Sequence, residues 1–315
     1  MAELHADLLD RLRGPLVPVM PAFGDDDSLD LDATARWIDH LVTSGIPLFW
    51  TTFGTSHYLA MGDAEITDLT AAIGAVTRGR AVFIASTQFA WSTRQCIAFA
   101  EEAARCGADA VKVQVDWRLR PDEAIVLERY RAIAAASPLP LIAYALGQGT
   151  FGAAGGGPSP DLFARLLDLP QVMGMKNDAG DFYENTAYLA QVRASGRRFA
   201  VITGGSMESM LHGFRFGQHA YAVALAMLAP EIVLAFDRAL GVGRDDVATS
   251  IVRDVEQPFG NALAPLGHWA ALHEALRRQG WFPSRHVRFP LRTLDEAEAR
   301  AVAAAMDAAG LPGPR

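Results

Sequence analysis

The chain has 315 residues, of which half are apolar and a fifth are charged, and its formal net charge is −8. This composition is typical of a folded globular protein, and the acidic balance argues against a nucleic-acid partner because phosphate backbones are bound by clustered Lys and Arg. The N-terminal segment lacks the apolar stretch of a signal peptide, and the longest apolar runs are too short to span a bilayer. We therefore expect a cytoplasmic protein without membrane contact.

Short apolar runs alternate with longer Ala- and Leu-rich stretches of helical period along most of the chain. This alternation predicts repeated βα units around a parallel sheet. Eight such units predict an α/β fold of the (β/α)8 TIM-barrel type, which commonly takes about 250 residues as one domain. The strand candidates begin at Pro15, Pro47, Ala81, Asp109, Leu139, Val172, Phe199 and His219.

The β signal ends near residue 229, and four segments of helical period follow it. These segments begin at Pro230, Asp246, His268 and Leu294. We therefore predict a catalytic barrel domain over residues 1–229 and a C-terminal helical extension over residues 230–315.

A glycine-rich segment runs from Gly147 to Asp161, directly after the fifth predicted strand. Such a composition does not support a packed element and predicts a mobile loop. Its spacing fits neither the dinucleotide fingerprint nor the P-loop, so we expect no nucleotide site there.

The two cysteines, Cys96 and Cys106, stand ten residues apart, at the two ends of a predicted helix. A disulfide framework or a structural zinc site needs more ligands or a different spacing. We interpret them as small, half-buried side chains and expect no bound metal.

Two polar residues stand near the ends of apolar strands, where the active sites of barrels are built. Lys176 ends the run VMGMK, and Tyr144 stands near the end of LPLIAYA. Burial of a lysine favours the neutral amine that attacks a carbonyl. The alternative is a structural lysine that extends to the rim or pairs with Asp178 or Asp181.

The segment GMKNDAGD, from Gly174 to Asp181, resembles the G-[IL]-K-[DE]-x-[ST]-G-[DN] stretch of the dihydrodipicolinate synthase and N-acetylneuraminate lyase superfamily. The resemblance covers nearly the whole barrel. It includes VPVMPAFGDDDSLDLDATARWIDHLVTSGI near the N-terminus, CGADAVKV from Cys106, and TGGSMESMLHGFRFGQHAYAVALAMLAP from Thr203.

The resemblance implies that Lys176 forms a Schiff base with a 2-keto acid and that Tyr144 transfers protons. A protonated imine acts as an electron sink, so the neighbouring bond can break without a free carbanion. The resemblance implies that no metal or organic cofactor is needed. It also implies a homo-oligomer, a dimer or a tetramer.

The family's GTTGE loop, which holds the keto acid's carboxylate, falls on residues 51–55. Thr52 and Gly54 match that loop, whereas Phe53 and Thr55 replace its second Thr and its Glu. Thr52 Oγ and backbone N–H groups could still hold a carboxylate. The predicted substrate-binding residues also include Phe53, Trp117, Gly204 and Gly205.

The chain departs from the family pattern after the fourth strand, where Trp117 and Arg118 stand in place of two tyrosines. The second of these tyrosines relays protons in dihydrodipicolinate synthase, which Arg118 does not do at neutral pH. Arg118 is expected either to bind a carboxylate or phosphate, or to be an ordinary loop cation.

His57 is a candidate for a substrate contact, a second base or an ordinary loop residue. Residues 147–149 read Gly-Gln-Gly where dihydrodipicolinate synthase has the Arg that binds the aldehyde substrate's carboxylate. We therefore do not expect true dihydrodipicolinate synthase activity.

Three functional hypotheses remain. The first is a lyase or aldolase that joins or cleaves a C–C bond of pyruvate or a related 2-keto acid, with an aldehyde or a sugar acid as second substrate. The second is a sugar-acid dehydratase or an aromatic-pyruvate hydratase-aldolase that uses the same imine. The third is a keto-acid-binding paralogue without catalysis, against which the presence of both Lys176 and Tyr144 argues.

Overall fold

The structure is a computed structural model, and it describes residues 2–146, 157–178 and 182–313. In chain order the strands are β1 (Gly14–Pro18), β2 (Ala22–Phe23), β3 (Leu29–Asp30), β4 (Leu48–Trp50), β5 (Val82–Ser86), β6 (Ala110–Lys112), β7 (Leu141–Ala145), β8 (Val172–Asn177), β9 (Ala200–Thr203) and β10 (Ala220–Ala222).

Eight of these strands close into a barrel in the order β1-β10-β9-β8-β7-β6-β5-β4, and β2 and β3 form a separate antiparallel pair. Each of the eight segments predicted as strands overlaps one barrel strand. The prediction of an α/β (β/α)8 TIM barrel is therefore confirmed.

Helices separate the barrel strands and complete the C-terminal part of the chain. They are α1 (Ala2–Arg11), α2 (Leu31–Thr43), α3 (Asp63–Thr77), α4 (Thr93–Cys106), α5 (Glu123–Ala136), α6 (Pro160–Leu167), α7 (Phe182–Ser195), α8 (Met207–Gly213), α9 (Pro230–Gly241), α10 (Asp245–Ile251), α11 (Gln257–Leu263), α12 (His268–Arg278) and α13 (Glu296–Ala308). Over the described ranges, none of these helices has the length and apolarity needed to cross a membrane.

Local capping explains where several helices begin. The side chain of Asp30 accepts a hydrogen bond from the Ala33 N–H at the start of α2. At α4 the Ser92 hydroxyl accepts from the Gln95 N–H, and the Gln95 side chain accepts in return from the Ser92 N–H. These bonds satisfy N–H groups that the first helical turn leaves without partners.

The C-terminal helices follow the predicted pattern, with one irregularity. The segment predicted as a single helix from Asp246 contains α10, a π-helical stretch Val252–Glu256, and α11. Pro258, at the start of α11, has no N–H to donate, which explains a change of hydrogen-bond ladder just before it. Helix α9 begins at Pro230, as expected, and the division into a domain of residues 1–229 and an extension of residues 230–315 stays a prediction.

Two local predictions, the end of the glycine-rich loop and the position of Cys96 in its helix, need correction. The glycine-rich loop ends earlier than predicted, because Ser159 caps α6 and Pro160 begins it, while residues 147–156 lie outside the described residues. Cys96 and Cys106 are both free thiols, but α4 begins at Thr93, so Cys96 lies inside the helix rather than at its end.

The chain forms two compact units. The first unit comprises Met1–Gly14 and Val82–Ala222, and the second comprises Pro15–Ala81 and Val223–Arg315. Each is described by itself below.

Candidate active site

Lys176 and Tyr144 lie side by side in the first unit. Tyr144 on β7 is the register partner of Lys176 on the neighbouring parallel strand β8. Residues in equal register on adjacent strands project to the same face of a sheet, which brings their side chains together. Lys176 is 8% exposed and Tyr144 is 2% exposed, so both polar groups are largely withdrawn from water.

Asp178 connects these two side chains. Its Oδ2 atom forms an ion pair with Lys176 Nζ and accepts a hydrogen bond from Tyr144 Oη at 3.3 Å. Its backbone N–H donates to the Ala145 carbonyl at 3.1 Å, which ties the end of β8 to the end of β7. The pairing with Asp178, which was the alternative expected for Lys176, is therefore present, and Asp178 also contacts Tyr144.

Burial raises the pKa of Tyr144 well above its ordinary value, and the negative charge of Asp178 adds to this effect. A phenol with a raised pKa keeps its proton at neutral pH. Tyr144 is thus a hydrogen-bond donor whose proton is directed at Asp178.

Lys112 is a second buried lysine beside the same tyrosine ring. It ends β6 and is fully buried, and its Nζ lies 5.9 Å from the centre of the Tyr144 ring, compared with 5.1 Å for Lys176 Nζ. Burial, and then the positive charge of Lys176, lower the pKa of Lys112 well below its ordinary value. Lys112 was not predicted from the sequence as a site residue, although a lysine ending an apolar strand is the signal that identified Lys176.

Trp117 and Arg118 lie next to Tyr144. Trp117 is buried, and its Nε1 donates to the Tyr144 carbonyl at 2.6 Å, so it supports the β7 backbone. The Arg118 guanidinium donates twice to the Asp116 carboxylate, at 2.7 Å each, and lies 5.5 Å from the centre of the Phe89 ring. Phe89 in turn lies 5.9 Å from the Tyr144 ring. Arg118 is therefore a paired cation near the site, and its binding role stays a prediction.

Gly204 provides space for the Asp178 carboxylate. A Cβ atom at position 204 would overlap that carboxylate and lie 2.9 Å from its Cγ. The Gly204 N–H donates to the Asn177 carbonyl at 2.9 Å, while Gly205 has a positive φ of 108° and donates to the Ala222 carbonyl at 3.1 Å. The substrate-binding role predicted for both glycines stays a prediction.

A chain of buried amides supports the end of β8. Asn177 Nδ2 donates to Asn185 Oδ1 at 3.2 Å, and Asn185 Nδ2 donates to Gln218 Oε1 at 2.9 Å. Gln218 Nε2 then donates to Thr203 Oγ1 at 2.6 Å. These bonds connect β8 to α7 and β9, which fixes the backbone between Lys176 and Asp178. The sequence carries no local signal for them.

The predicted carboxylate loop belongs to the second unit and forms a tight turn. The Thr52 N–H donates to Ser56 Oγ at 2.9 Å, and Ser56 Oγ donates to the Val19 carbonyl at 2.5 Å. Thr52 Oγ1 accepts from the Thr55 N–H at 3.1 Å, which leaves its hydroxyl proton to be donated to an anion. Phe53 is buried beside this turn.

Packing requires a residue without a side chain at position 54, which is Gly54. A Cβ atom at position 54 would overlap the indole ring of Trp269 on α12. The structure thus gives this glycine a packing role that the resemblance alone does not indicate, and its role in carboxylate binding stays a prediction.

His57 is buried as a neutral imidazole in the second unit. It has a left-handed backbone with φ 55°, and its ring lies 5.3 Å from Phe23 and 6.3 Å from His273. Burial, assisted by the charge of Arg288, lowers the pKa of His57 to about 4. A side chain that is neutral at physiological pH and such a weak base fits a contact or packing role better than that of a second base.

Comparison with known proteins identifies the chain's relatives. The family model described as "Dihydrodipicolinate synthetase family" matches residues 11–309, which confirms the resemblance predicted from the sequence. The lyase class predicted from the sequence is confirmed at the level of the family.

Two relatives and one solved structure illustrate the similarity. A probable 5-dehydro-4-deoxyglucarate dehydratase of Streptomyces avermitilis is 26% identical over 91% of this chain and 85% of its own length. A 4-hydroxy-tetrahydrodipicolinate synthase of Laribacter hongkongensis is 28% identical over 95% of this chain and 99% of its own length. YagE, a prophage protein of E. coli K12 solved in complex with pyruvate, shares the fold with a TM-score of 0.84 and 20% identity, over 95% of this chain and 99% of its own.

Proposed function

The chain belongs to the dihydrodipicolinate synthetase family, and from this premise we propose that it is a lyase in which Lys176 forms a Schiff base with a 2-keto acid. The observation that carries the proposal is the register pairing of Lys176 with Tyr144 and their common contact with Asp178. It places a buried amine beside a proton donor, which is what imine formation requires.

In this proposal the amine of Lys176 attacks the keto carbon, and loss of water gives a protonated imine. The imine draws electrons from the adjacent carbon, which then loses a proton or a carbon substituent more easily. Tyr144 keeps its proton because burial raises its pKa, so it supplies a proton to a departing oxygen. Thr52 stays the predicted residue for the keto acid's carboxylate.

We propose that the departing group is the hydroxyl of a keto-deoxy sugar acid, which makes the enzyme a dehydratase. Relatives over most of the chain's length are named as 5-dehydro-4-deoxyglucarate dehydratases, which supports this reaction type. A phenol that remains protonated also suits a reaction in which a hydroxyl must leave as water.

The second candidate is an aldolase that cleaves or forms the C–C bond next to the imine. The half-buried aromatic ring of Phe89 beside Tyr144 favours it, because it offers an apolar surface to an aldehyde. We do not propose dihydrodipicolinate synthase activity, since Arg118 is already paired with Asp116 and is a poor receptor for a second carboxylate.

The Schiff base is tested by incubating the enzyme with pyruvate and borohydride, measuring the mass of the intact protein by mass spectrometry and mapping the adduct. We expect a mass gain located on Lys176 that is absent from the Lys176→Ala variant. The Lys112→Met variant is the comparison for the other buried amine, and it should still give an adduct on Lys176. A wild-type protein that gains no mass, or an adduct on any other residue, contradicts the proposal.

The reaction type is tested with a panel of keto-deoxy sugar acids and of aldehydes paired with pyruvate. Loss of water without release of pyruvate supports the dehydratase. Release of pyruvate, or its consumption with an aldehyde, supports the aldolase instead. Adduct formation without turnover of any panel member would support the paralogue that binds keto acids without catalysis.

A further inference from the structure

The carboxylate of Asp178 is placed to exchange protons with both groups that the proposed reaction uses. We propose that Asp178 is a catalytic acid–base residue, which takes a proton from Lys176 and returns it through Tyr144. This inference rests on the proposed Schiff-base function and assigns the proton path of its first step.

The geometry supports a transfer path through one atom. Asp178 Oδ2 contacts both Lys176 Nζ and Tyr144 Oη, so a proton received from the amine lies next to the phenol. The Asp178 side chain is 16% exposed, which limits exchange with solvent without preventing entry of a substrate. Its position is held by the backbone bond to Ala145 and depends on the absence of a side chain at Gly204.

The charges around Asp178 favour this role. Within the part of the chain that the structure describes, Lys112, Tyr144 and Lys176 interact with Asp178, and the charges of Arg118 and Asp116 act on Tyr144. Burial disfavours the charged form of Lys112, and Tyr144 stays neutral. Lys176 and Asp178 therefore form the principal pair of opposite charges, between which a proton can move without creating net charge.

The proposed steps balance. Asp178 accepts one proton from the Lys176 ammonium, and the amine lone pair attacks the keto carbon while the carbonyl π electrons move to oxygen. That oxygen takes the Tyr144 proton, and Tyr144 recovers a proton from Asp178. The Lys176 nitrogen, which is now a secondary ammonium bonded to the former keto carbon, then gives a second proton to Asp178. Asp178 returns it through Tyr144 to the hydroxyl, which leaves as water as the C=N bond forms, and both residues end in their starting states.

The first test measures the rate of imine formation with pyruvate, by quenching with borohydride at successive times. We expect Asp178→Asn to slow the reaction by about a hundredfold or more, in the range found for general acid–base groups. The control Asp161→Asn makes the same change on the exposed surface of α6 and should react like the wild type. An unchanged rate in Asp178→Asn overturns the inference, whereas absence of imine in the wild type would contradict the proposed function itself.

The pH profile separates proton transfer from simple positioning of Lys176. If Asp178 removes the proton, the deficit of Asp178→Asn should shrink as the pH rises, because the amine then loses its proton to solvent. A deficit that stays constant across the pH range would show that Asp178 only positions Lys176, and it would overturn the inference.

A second variant keeps the test decisive if Asp178→Asn does not fold. Gly204→Ala retains the carboxylate but displaces it, because the added Cβ overlaps its position. We expect slower imine formation in Gly204→Ala with the same recovery at high pH. A folded Gly204→Ala protein with the wild-type rate would count against the role of Asp178.

Discussion

His57 and His273 are buried in neutral form, and this has a consequence for stability. Burial lowers the pKa of His57 to about 4 and that of His273 to about 3, from the ordinary value of 6.5. At pH values between the ordinary pKa of 6.5 and these lowered pKa values, the unfolded chain binds more protons than the folded chain. The free energy of unfolding should therefore be unaffected by these residues above pH 6.5 and fall as the pH is lowered towards 4, by up to about 1.4 kcal/mol per pH unit for each histidine.

The His57→Gln variant tests this expectation, since it removes one of the two buried histidines. Urea unfolding at several pH values between 4 and 6.5 should give a free energy that changes less steeply with pH than in the wild type. Equal slopes in the two proteins would contradict burial of His57 as a neutral group.

Arg118 gives a prediction on substrate choice that follows from its pairing with Asp116. Asp116→Asn should release the guanidinium and allow it to bind a second carboxylate. We expect kcat/KM for a keto sugar diacid to rise about tenfold relative to the matching monoacid, the gain of one charge-assisted hydrogen bond. Steady-state kinetics on the two substrates measures the ratio. Arg118→Gln combined with Asp116→Asn should cancel the gain, and a gain that persists would assign it to another residue.

At the scale of secondary structure elements, Asn185 connects α7 to β8 and to the loop before β10. Asn185→Leu keeps a similar volume but removes the hydrogen bonds to Asn177 and Gln218. We expect a loss of about 2–3 kcal/mol in the free energy of unfolding, because two buried hydrogen bonds are removed at once. Chemical denaturation measures it. Thr186→Val is the matched control on the same helix, since the half-buried Thr186 hydroxyl donates to the Tyr183 carbonyl of its own turn, and an equal effect there would contradict the special role of Asn185.

The contact between Gly54 and α12 gives a second prediction at this scale. Gly54→Ala should destabilise the protein by about 1–3 kcal/mol, since the new methyl group overlaps the indole of Trp269. Trp269→Leu should be tolerated better in the Gly54→Ala background than in the wild type. A double-mutant cycle measured by urea unfolding gives the coupling, and purely additive effects would show that the two residues do not meet.

The elements themselves were largely predictable from the sequence, because buried parallel strands read as short apolar runs and the helices between them have a different period. The contacts within the candidate site were less predictable from the sequence. The sequence identified Lys176 and Tyr144 as strand-end residues, but their pairing depends on the register of β7 against β8. Lys112 carried the same signal and was overlooked.

The remaining contacts depend on residues distant in the sequence. Gly204 makes room for Asp178, and Gly54 makes room for Trp269, which follows it by more than two hundred positions. No local pattern encodes such pairs, since each glycine would be equally acceptable in an open loop. The structure therefore gives these glycines a packing role that positions other side chains, and their substrate-binding roles stay predictions.

At the scale of the whole molecule, an exposed aromatic cluster is relevant to the predicted homo-oligomer. The cluster consists of Phe182, Tyr183, His212 and Phe216, whose rings lie 5.5–6.0 Å from that of Phe182. Tyr183 is 80% exposed, Phe216 41% and Phe182 40%. Large apolar side chains grouped on a surface are typical of protein contacts. We therefore expect this cluster to be covered in the assembled protein.

Light scattering after size-exclusion chromatography should give a mass of two or four times the 33.9 kDa chain. Replacing Tyr183 and Phe216 with Ser should shift the protein to a smaller species while leaving its circular dichroism unchanged, because exposed rings contribute to association more than to folding. Val242→Ser, at another exposed apolar position, is the control and should leave the mass unchanged. A monomeric wild type would contradict the predicted oligomer, whereas an oligomer insensitive to the double substitution would place the contact on another face of the molecule.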